Sequence, residues 1–184
     1  MPSASQPLIL VTNDDGIYAP GIRYISEVLK QFGEVCVVAP DKPQSGMGHA
    51  ITIGYPLRLH KVQQFEGIES WQCSGTPVDC VKLAVDKILH KKPDLCLSGI
   101  NHGANHSINV IYSGTMSAAI EASIEKIPSI GFSLMNFSME ADFTAAKVLC
   151  KVRLLLKAAK VKNRPMASTK RILPIFIFLI TKIK

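Results

Sequence analysis

Short apolar runs that alternate with segments of helical periodicity constrain this chain more than any other feature. The runs are continuous and rich in β-branched residues, as in strands buried on both faces of a sheet. The segments between them repeat apolar residues every three to four positions. The predicted strands cover 8–12, 34–39, 94–100 and 129–134, and the predicted helices cover 20–33, 77–89, 113–126 and 140–160. This alternation predicts an α/β fold with a mostly parallel sheet, and two extended segments at 51–62 and 68–74 predict an antiparallel excursion.

Three polar loops that contain glycine follow predicted strands. They are "NDDG" at 13–16, "PDKPQSGMGH" at 40–49 and "SGINHGANHS" at 98–107. In an open α/β sheet, ligands bind outside the carboxyl ends of the strands, where these loops would meet. We therefore expect the functional site at this edge of the sheet.

The adjacent pair Asp14 and Asp15 admits two interpretations. Asn-Asp-Asp-Gly is common turn chemistry, and an aspartate before a helix can cap it. One acid is enough for a cap, however, and two carboxylates about 5 Å apart repel by roughly 3 kcal/mol at an effective dielectric constant of 20. A divalent cation between them would convert that repulsion into binding.

The neighbouring loops indicate which cations would fit. Ser45 and Asn101 offer oxygen donors, and Asn13 and Asn105 lie close to them in the sequence. Oxygen ligands of this kind suit Mg²⁺, Mn²⁺ or Ca²⁺ and not Zn²⁺. The same loops contain His49, His102 and His106, which lack the spacing of a metal motif. We expect His49 and His102 to lie next to the ligands or against a substrate.

Two segments place a hydroxyl and a glycine directly before a predicted helix, "SGTP" at 74–77 and "YSGT" at 112–115. The N-terminus of a helix favours anions such as phosphate, although ordinary helix capping explains the same residues. "YSGT" is the stronger candidate because it follows the loop at 98–107. "SGMGH" at 45–49 is only a weak match to a dinucleotide-binding fingerprint. Carboxylates with a metal, facing such helix starts, predict metal-assisted hydrolysis of a phosphoester.

Five motifs in order resemble one known family. "LVTNDDGI", "VVAPDKPQSGMGHAIT", "CSGTPVDCV", "DLCLSGINHGAN" and "YSGTMSAAIEA" together resemble the SurE survival-protein family of metal-dependent 5'/3'-nucleotidases, over about residues 8–150. The resemblance implies a Rossmann-like, three-layer fold, cytoplasmic location and hydrolysis of nucleoside monophosphates, with some activity on short polyphosphate. It implies one Mg²⁺ or Mn²⁺ per subunit, held by Asp14, Asp15, Ser45 and Asn101, with catalysis centred on the two aspartates. The substrate and phosphate contacts expected with it are Asn13, Gly46, His49, Asn105, Ser113, Gly114 and Thr115.

The end of the chain departs from this pattern. Residues 1–150 carry 11 Lys/Arg and 14 Asp/Glu, whereas residues 151–184 carry 10 Lys/Arg and no acid, so the net charge of +7 belongs to the tail. We expect a nucleotidase domain over 1–150, followed at 151–184 by a helix end and a divergent basic and apolar tail, from a truncated or frame-shifted terminus. Members of the family form homodimers or tetramers through a later arm, which is not recognisable here.

The cysteines, the N-terminus and the apolar run near the C-terminus indicate the compartment and the partners to expect. The five cysteines show no C-x-x-C pair, and the N-terminus lacks the pattern of a signal peptide, so we expect a reducing cytoplasm. The apolar run "ILPIFIFLI" is shorter than the roughly 20 residues that span a bilayer. We expect a nucleoside monophosphate as the partner, and neither nucleic acid nor membrane. Two rival functions stay open, a metal-dependent nucleotidyl- or glycosyltransferase and an inactive remnant that at most binds nucleotide.

Overall fold

A seven-stranded sheet organises the computed structural model, which describes residues 6–103, 105, 107–135 and, for the backbone alone, 175–180. In chain order the elements are β1 (Leu8–Thr12), α1 (Pro20–Leu29), β2 (Glu34–Pro40), β3 (Leu59–Val62), β4 (Glu69–Cys73), α2 (Pro77–Leu83), β5 (Leu95–His102), α3 (Gly114–Ile124), β6 (Ser129–Leu134) and β7 (Ile175–Ile180). A π-helical turn at Ala84–Ile88 extends α2, and a 3₁₀ turn at Ser107–Ile111 precedes α3. The predicted α/β class is confirmed.

The strand order is β3-β4-β2-β1-β5-β6-β7. All neighbouring pairs are parallel except β3 with β4, so the predicted antiparallel excursion is confined to the strand at one edge. After β1 the chain adds β2, β3 and β4 on one side of β1. The next strand, β5, lies on the other side of β1. This reversal makes the carboxyl end of β1 a topological switch point, where open α/β sheets leave a crevice for ligands.

Helices cover both faces of the sheet, as the three-layer prediction requires. Alternate residues of β1 point to opposite faces, so that Ile9 and Val11 pack with α1 and Leu10 packs with α2 and α3. The α1 face is lined by Ile22, Ile25 and Leu29 at helical spacing. This burial on both faces explains why the strands read as continuous apolar runs.

The first turn of α2 is built by a capping box. The Thr76 hydroxyl accepts a hydrogen bond from the Asp79 backbone N–H, and the Asp79 carboxylate accepts one from the Thr76 N–H. Asp79 also accepts from the backbone and hydroxyl of Thr52, and the Thr76 hydroxyl donates to the carbonyl of Ala50. "SGTP" therefore caps a helix and holds the segment at 50–52 against it.

The seventh strand was not among the predicted elements. Residues 175–180 read "IFIFLI", and their backbone pairs in parallel with all of β6. The predicted helix at 140–160 and the predicted boundary near residue 150 lie outside the described residues. In the part of the chain that the structure describes, every helix is too short or too polar to cross a bilayer.

We expect Asp79→Ala to lower the free energy of unfolding by about 2–4 kcal/mol, because it removes a helix cap and leaves the donors of the partly buried Thr52 and the buried Thr76 unsatisfied. Urea denaturation followed by circular dichroism measures the change. Asp86→Ala is the control, since Asp86 is largely exposed and its ion pair with Lys87 stabilises little. Equal stability of the two variants would contradict the role given to Asp79.

Candidate active site

The two predicted carboxylates lie at the switch point. Asp14 and Asp15 come two and three residues after the end of β1, between the ends of the parallel strands β2 and β5. Hydrogen bonds join the three loops there: the Ile17 N–H donates to the carbonyl of Pro40, and the His102 N–H donates to Asp15 Oδ2. These groups meet at the carboxyl ends of the strands, which is the edge of the sheet where the sequence predicts the functional site.

Asp14 is held against the start of α3. Its side chain is buried, and Oδ1 accepts a hydrogen bond from the Thr115 hydroxyl. Gly114 allows this approach, since a β-carbon there would lie 2.6 Å from the Asp14 β-carbon. Ser113 caps the helix by accepting from the N–H of Met116 at 3.1 Å. The three residues predicted to contact phosphate thus also build the support of Asp14.

The electrostatics of Asp14 favour a nearby positive charge. Burial raises the pKa of its carboxyl to about 6, with the Thr115 hydrogen bond lowering it and the neighbouring Asp15 carboxylate raising it. Burial disfavours the charged form because the site supplies less solvation than water does. A cation beside Asp14 would restore that solvation and stabilise the ionised carboxylate.

Asp15 is half-buried and is held by β5. The backbone N–H of His102 donates to Asp15 Oδ2 at 3.1 Å, and His102 Nδ1 lies 3.2 Å from the same oxygen. His102 therefore contacts one of the two predicted ligand carboxylates directly. The paired acids have different environments, one buried under a helix start and one tied to a strand end.

The loop at 40–49 is anchored to the same place by its backbone. The Gln44 N–H donates to the carbonyl of Asp14 at 2.7 Å, which brings Ser45 and Gly46 next to the aspartate pair along the chain. Both residues are exposed. The Gly48 N–H donates to the carbonyl of Tyr112 at 3.1 Å, so that the loop also contacts the segment before α3.

His49 points along α3. Its Nε2 lies 2.7 Å from Oε2 of Glu121, a buried carboxylate that also accepts from Lys82 Nζ at 3.1 Å. Glu121 lies two helical turns after Gly114, so this contact ties the loop to the body of α3. The predicted substrate contact of His49 stays a prediction. Glu121 was missed, although a single acid within the small and apolar face of "MSAAIEA" is a detectable signal.

Three asparagines lie in or next to the loops that follow β1 and β5. Asn101 is the last but one residue of β5 and donates from Nδ2 to the carbonyl of Gly103 at 3.0 Å, which leaves Oδ1 as its oxygen donor. Asn105 donates from Nδ2 to the Ser133 hydroxyl at 2.8 Å. Asn13 donates to the carbonyl of Gly16, and its buried Oδ1 has no hydrogen-bond partner among the described residues. His106 lies outside the described residues.

These residues fit a hard divalent cation. The donors near the switch point are the carboxylates of Asp14 and Asp15, the amide oxygen of Asn101 and the hydroxyl of Ser45, all of them oxygens. Within the described residues, no three His, Cys, Asp or Glu side chains form a cluster that could hold a metal. A cation would stabilise both the buried Asp14 carboxylate, whose pKa is raised, and the orphaned Asn13 oxygen. Oxygen donors of this kind would suit a hard divalent cation better than Zn²⁺.

A solved structure shows what class of protein this fold defines. The crystal structure of the SurE protein from Aquifex aeolicus matches 86% of this chain and 62% of its own, with a TM-score of 0.75 and 41% identity. A sequence model of the family described as "Survival protein SurE" matches residues 9–175. The chain therefore belongs to the SurE family.

Proteins of similar sequence have names that state an enzymatic activity. Proteins named 5'-nucleotidase SurE are 62% identical over 161 residues in Flavobacterium johnsoniae and 64% identical over 148 residues in Christiangramia forsetii. The matches cover 87% and 79% of this chain. The chain spans only 62% and 57% of the lengths of these two relatives.

We expect Thr115→Val to weaken the binding of Mn²⁺ by about 10- to 100-fold, because the isosteric change removes the donor that orients Asp14. Isothermal titration calorimetry measures the affinity. Ser129→Ala is the control, since its hydroxyl donates to the carbonyl of Ala119 further along α3 and does not contact an aspartate. Unchanged affinity in Thr115→Val would show that Asp14 does not depend on this hydrogen bond.

Proposed function

We propose that the chain is a metal-dependent phosphomonoesterase that hydrolyses nucleoside monophosphates to nucleoside and phosphate. The observation that carries this proposal is the buried Asp14, held beside Asp15 at the switch point by the first turn of α3. The names of the relatives support a 5'-nucleotide as substrate. Activity on 3'-nucleotides and on short polyphosphate is a further part of the proposal.

Four residues would hold the cation, namely Asp14, Asp15, Ser45 and Asn101. When bound, Mg²⁺ or Mn²⁺ would supply a Lewis acid for a phosphoryl oxygen and a lower pKa for a coordinated water. The support for this ligand set is the oxygen-only chemistry of the donors and their convergence through the loops after β1, β2 and β5. One ion per subunit accounts for all four donors.

The remaining residues position the substrate. α3 directs its N-terminus at the switch point, and Ser113, Gly114 and Thr115 form its start. The positive end of a helix favours an anion there, so the phosphate would lie beside the carboxylates with the cation between them. Burial of Asp14 and Thr115 excludes water from the rear of the site. Asn13, Gly46, His49 and Asn105 complete the proposed substrate contacts.

Assembly and location are proposed from the family alone. We infer a cytoplasmic protein that forms a homodimer or tetramer and acts on a small nucleotide rather than on nucleic acid or at a membrane.

The proposal is tested by phosphate release from a panel of nucleoside monophosphates, with Mg²⁺, with Mn²⁺ and with a chelator. We expect activity only with metal, and a loss of at least about 100-fold in kcat for Asp14→Asn or Asp15→Asn, because each variant removes a charged ligand. Asp86→Asn, at an exposed position, should keep wild-type activity.

Equal rates with and without chelator would contradict the metal assignment. Turnover that requires a sugar or nucleotide acceptor would support a transferase instead. Absence of phosphate release from every nucleotide, by a chain that unfolds cooperatively, would support an inactive remnant.

A further inference from the structure

Two exposed apolar side chains stand at the rim of the candidate active site. Met47 is 45% exposed and Tyr112 is 58% exposed. They belong to separate loops that meet, because the Gly48 N–H donates to the carbonyl of Tyr112 at 3.1 Å. Two large side chains so exposed, from segments joined by a hydrogen bond, leave apolar surface for a ligand to cover.

Two glycines with left-handed backbone conformations form the turn that carries Met47. Met47 lies between Gly46 and Gly48, whose φ angles of 75° and 57° are left-handed and favour glycine. A β-carbon on Gly46 would meet nothing within 4 Å, so the glycine serves the conformation of the turn and not the packing. The backbone contact with Tyr112 then holds the turn in place.

Both residues are close along the chain to groups that contact Asp14. Gly114 contacts Asp14, and Tyr112 precedes Gly114 by two residues, which span at most about 7 Å. Met47 follows Ser45 by two residues, and the preceding Gln44 is bonded to the backbone of Asp14. The ribose of a nucleotide spans a distance of this order between its phosphate and its base.

We propose that Met47 and Tyr112 form the nucleobase subsite, with the base stacked on the ring of Tyr112 and in contact with the thioether of Met47. Bases stack on aromatic side chains, and a methionine sulfur makes favourable contacts with aromatic rings. This inference deepens the proposed function and rests on it, because the phosphate of the same nucleotide would lie at Asp14 and Asp15. Neither residue contacts the reacting atoms, so both act on binding and not on the chemical step.

Tyr18 offers a matched comparison. It is 61% exposed and follows Asp15 by three residues, but its hydroxyl donates to Gln72 Oε1 at 3.2 Å, over β4. In the sheet, β4 is separated from β1 by β2. Tyr18 therefore reaches towards β4, whereas Tyr112 lies next to the start of α3, and the two side chains have similar exposure.

The experiment compares two phosphate esters, AMP and ribose 5-phosphate, which lacks the base. Steady-state kinetics with Mg²⁺ on the full chain use Tyr112→Ala, Met47→Ala, Tyr112→Phe and Tyr18→Ala. We expect Tyr112→Ala to raise KM for AMP about 5- to 150-fold, the range of one base stacked on an aromatic ring, with kcat and all constants for ribose 5-phosphate unchanged. Met47→Ala should raise KM for AMP by a smaller factor, and Tyr112→Phe and Tyr18→Ala should resemble the wild type.

Equal effects of Tyr112→Ala on both esters, or none on either, would overturn the subsite. A loss confined to Tyr18→Ala would assign the base to the surface around Tyr18 and overturn the proposal as well. A change of oligomeric state in Tyr112→Ala at unchanged KM for AMP, measured by size-exclusion chromatography with light scattering, would make this surface a contact between copies of the chain and reject the proposal.

Failure of the proposed function is distinguished by equilibrium binding. If the wild type hydrolyses neither ester, equilibrium dialysis with adenosine decides the subsite by itself. Weaker binding to Tyr112→Ala than to the wild type and Tyr18→Ala would support it. Equal binding to all variants, or none to the wild type, would overturn it.

Discussion

The contact between Asp14 and the first turn of α3 is the interaction on which the site depends. A carboxylate buried at the end of a strand is costly unless donors compensate its charge. Here the Thr115 hydroxyl supplies a donor, the N-terminus of α3 supplies a favourable dipole, and Gly114 leaves room for both. The same contact holds the start of α3 beside the loop after β1, which brings the proposed phosphate-binding segment to the switch point. One interaction thus joins the core of the sheet to the chemistry at its edge.

The two aspartates are supported in different ways, which gives the pair a defined asymmetry. Asp14 is buried and its pKa is raised to about 6, whereas Asp15 is half-buried and bonded to His102 at the end of β5. Both aspartates follow the end of β1, and the groups that hold them belong to β5 and to the start of α3, so movement of either carboxylate would disturb its packed neighbours. A divalent cation bound between oxygens placed in this way would have little freedom to adapt.

Two buried acids away from the site hold the loop that carries Ser45. Glu121 on α3 binds His49, and Asp79 on α2 binds Thr52. Together they attach residues 49 and 52 to the helical layer, while the Gln44 N–H attaches the preceding residues to the backbone of Asp14, in the loop after β1. The two carboxylates thus hold an exposed loop in a defined place through hydrogen bonds to helices.

The amino-acid sequence by itself determined the layered α/β class, because strands buried on both faces must be continuous apolar runs, and it determined the polar loops that carry Asp14, Asp15, Ser45 and Asn101. It did not reveal β7, because a short apolar run such as "IFIFLI" acquires meaning only from its pairing with β6. Nor did it reveal that Thr115 supports Asp14, that His49 turns towards Glu121 or that the N–H of Gly48 meets the carbonyl of Tyr112. Those contacts join residues 64 to 101 positions apart, and local periodicity carries no information about partners so distant. The tertiary structure decided them, since the order of strands in the sheet determines which loops become neighbours.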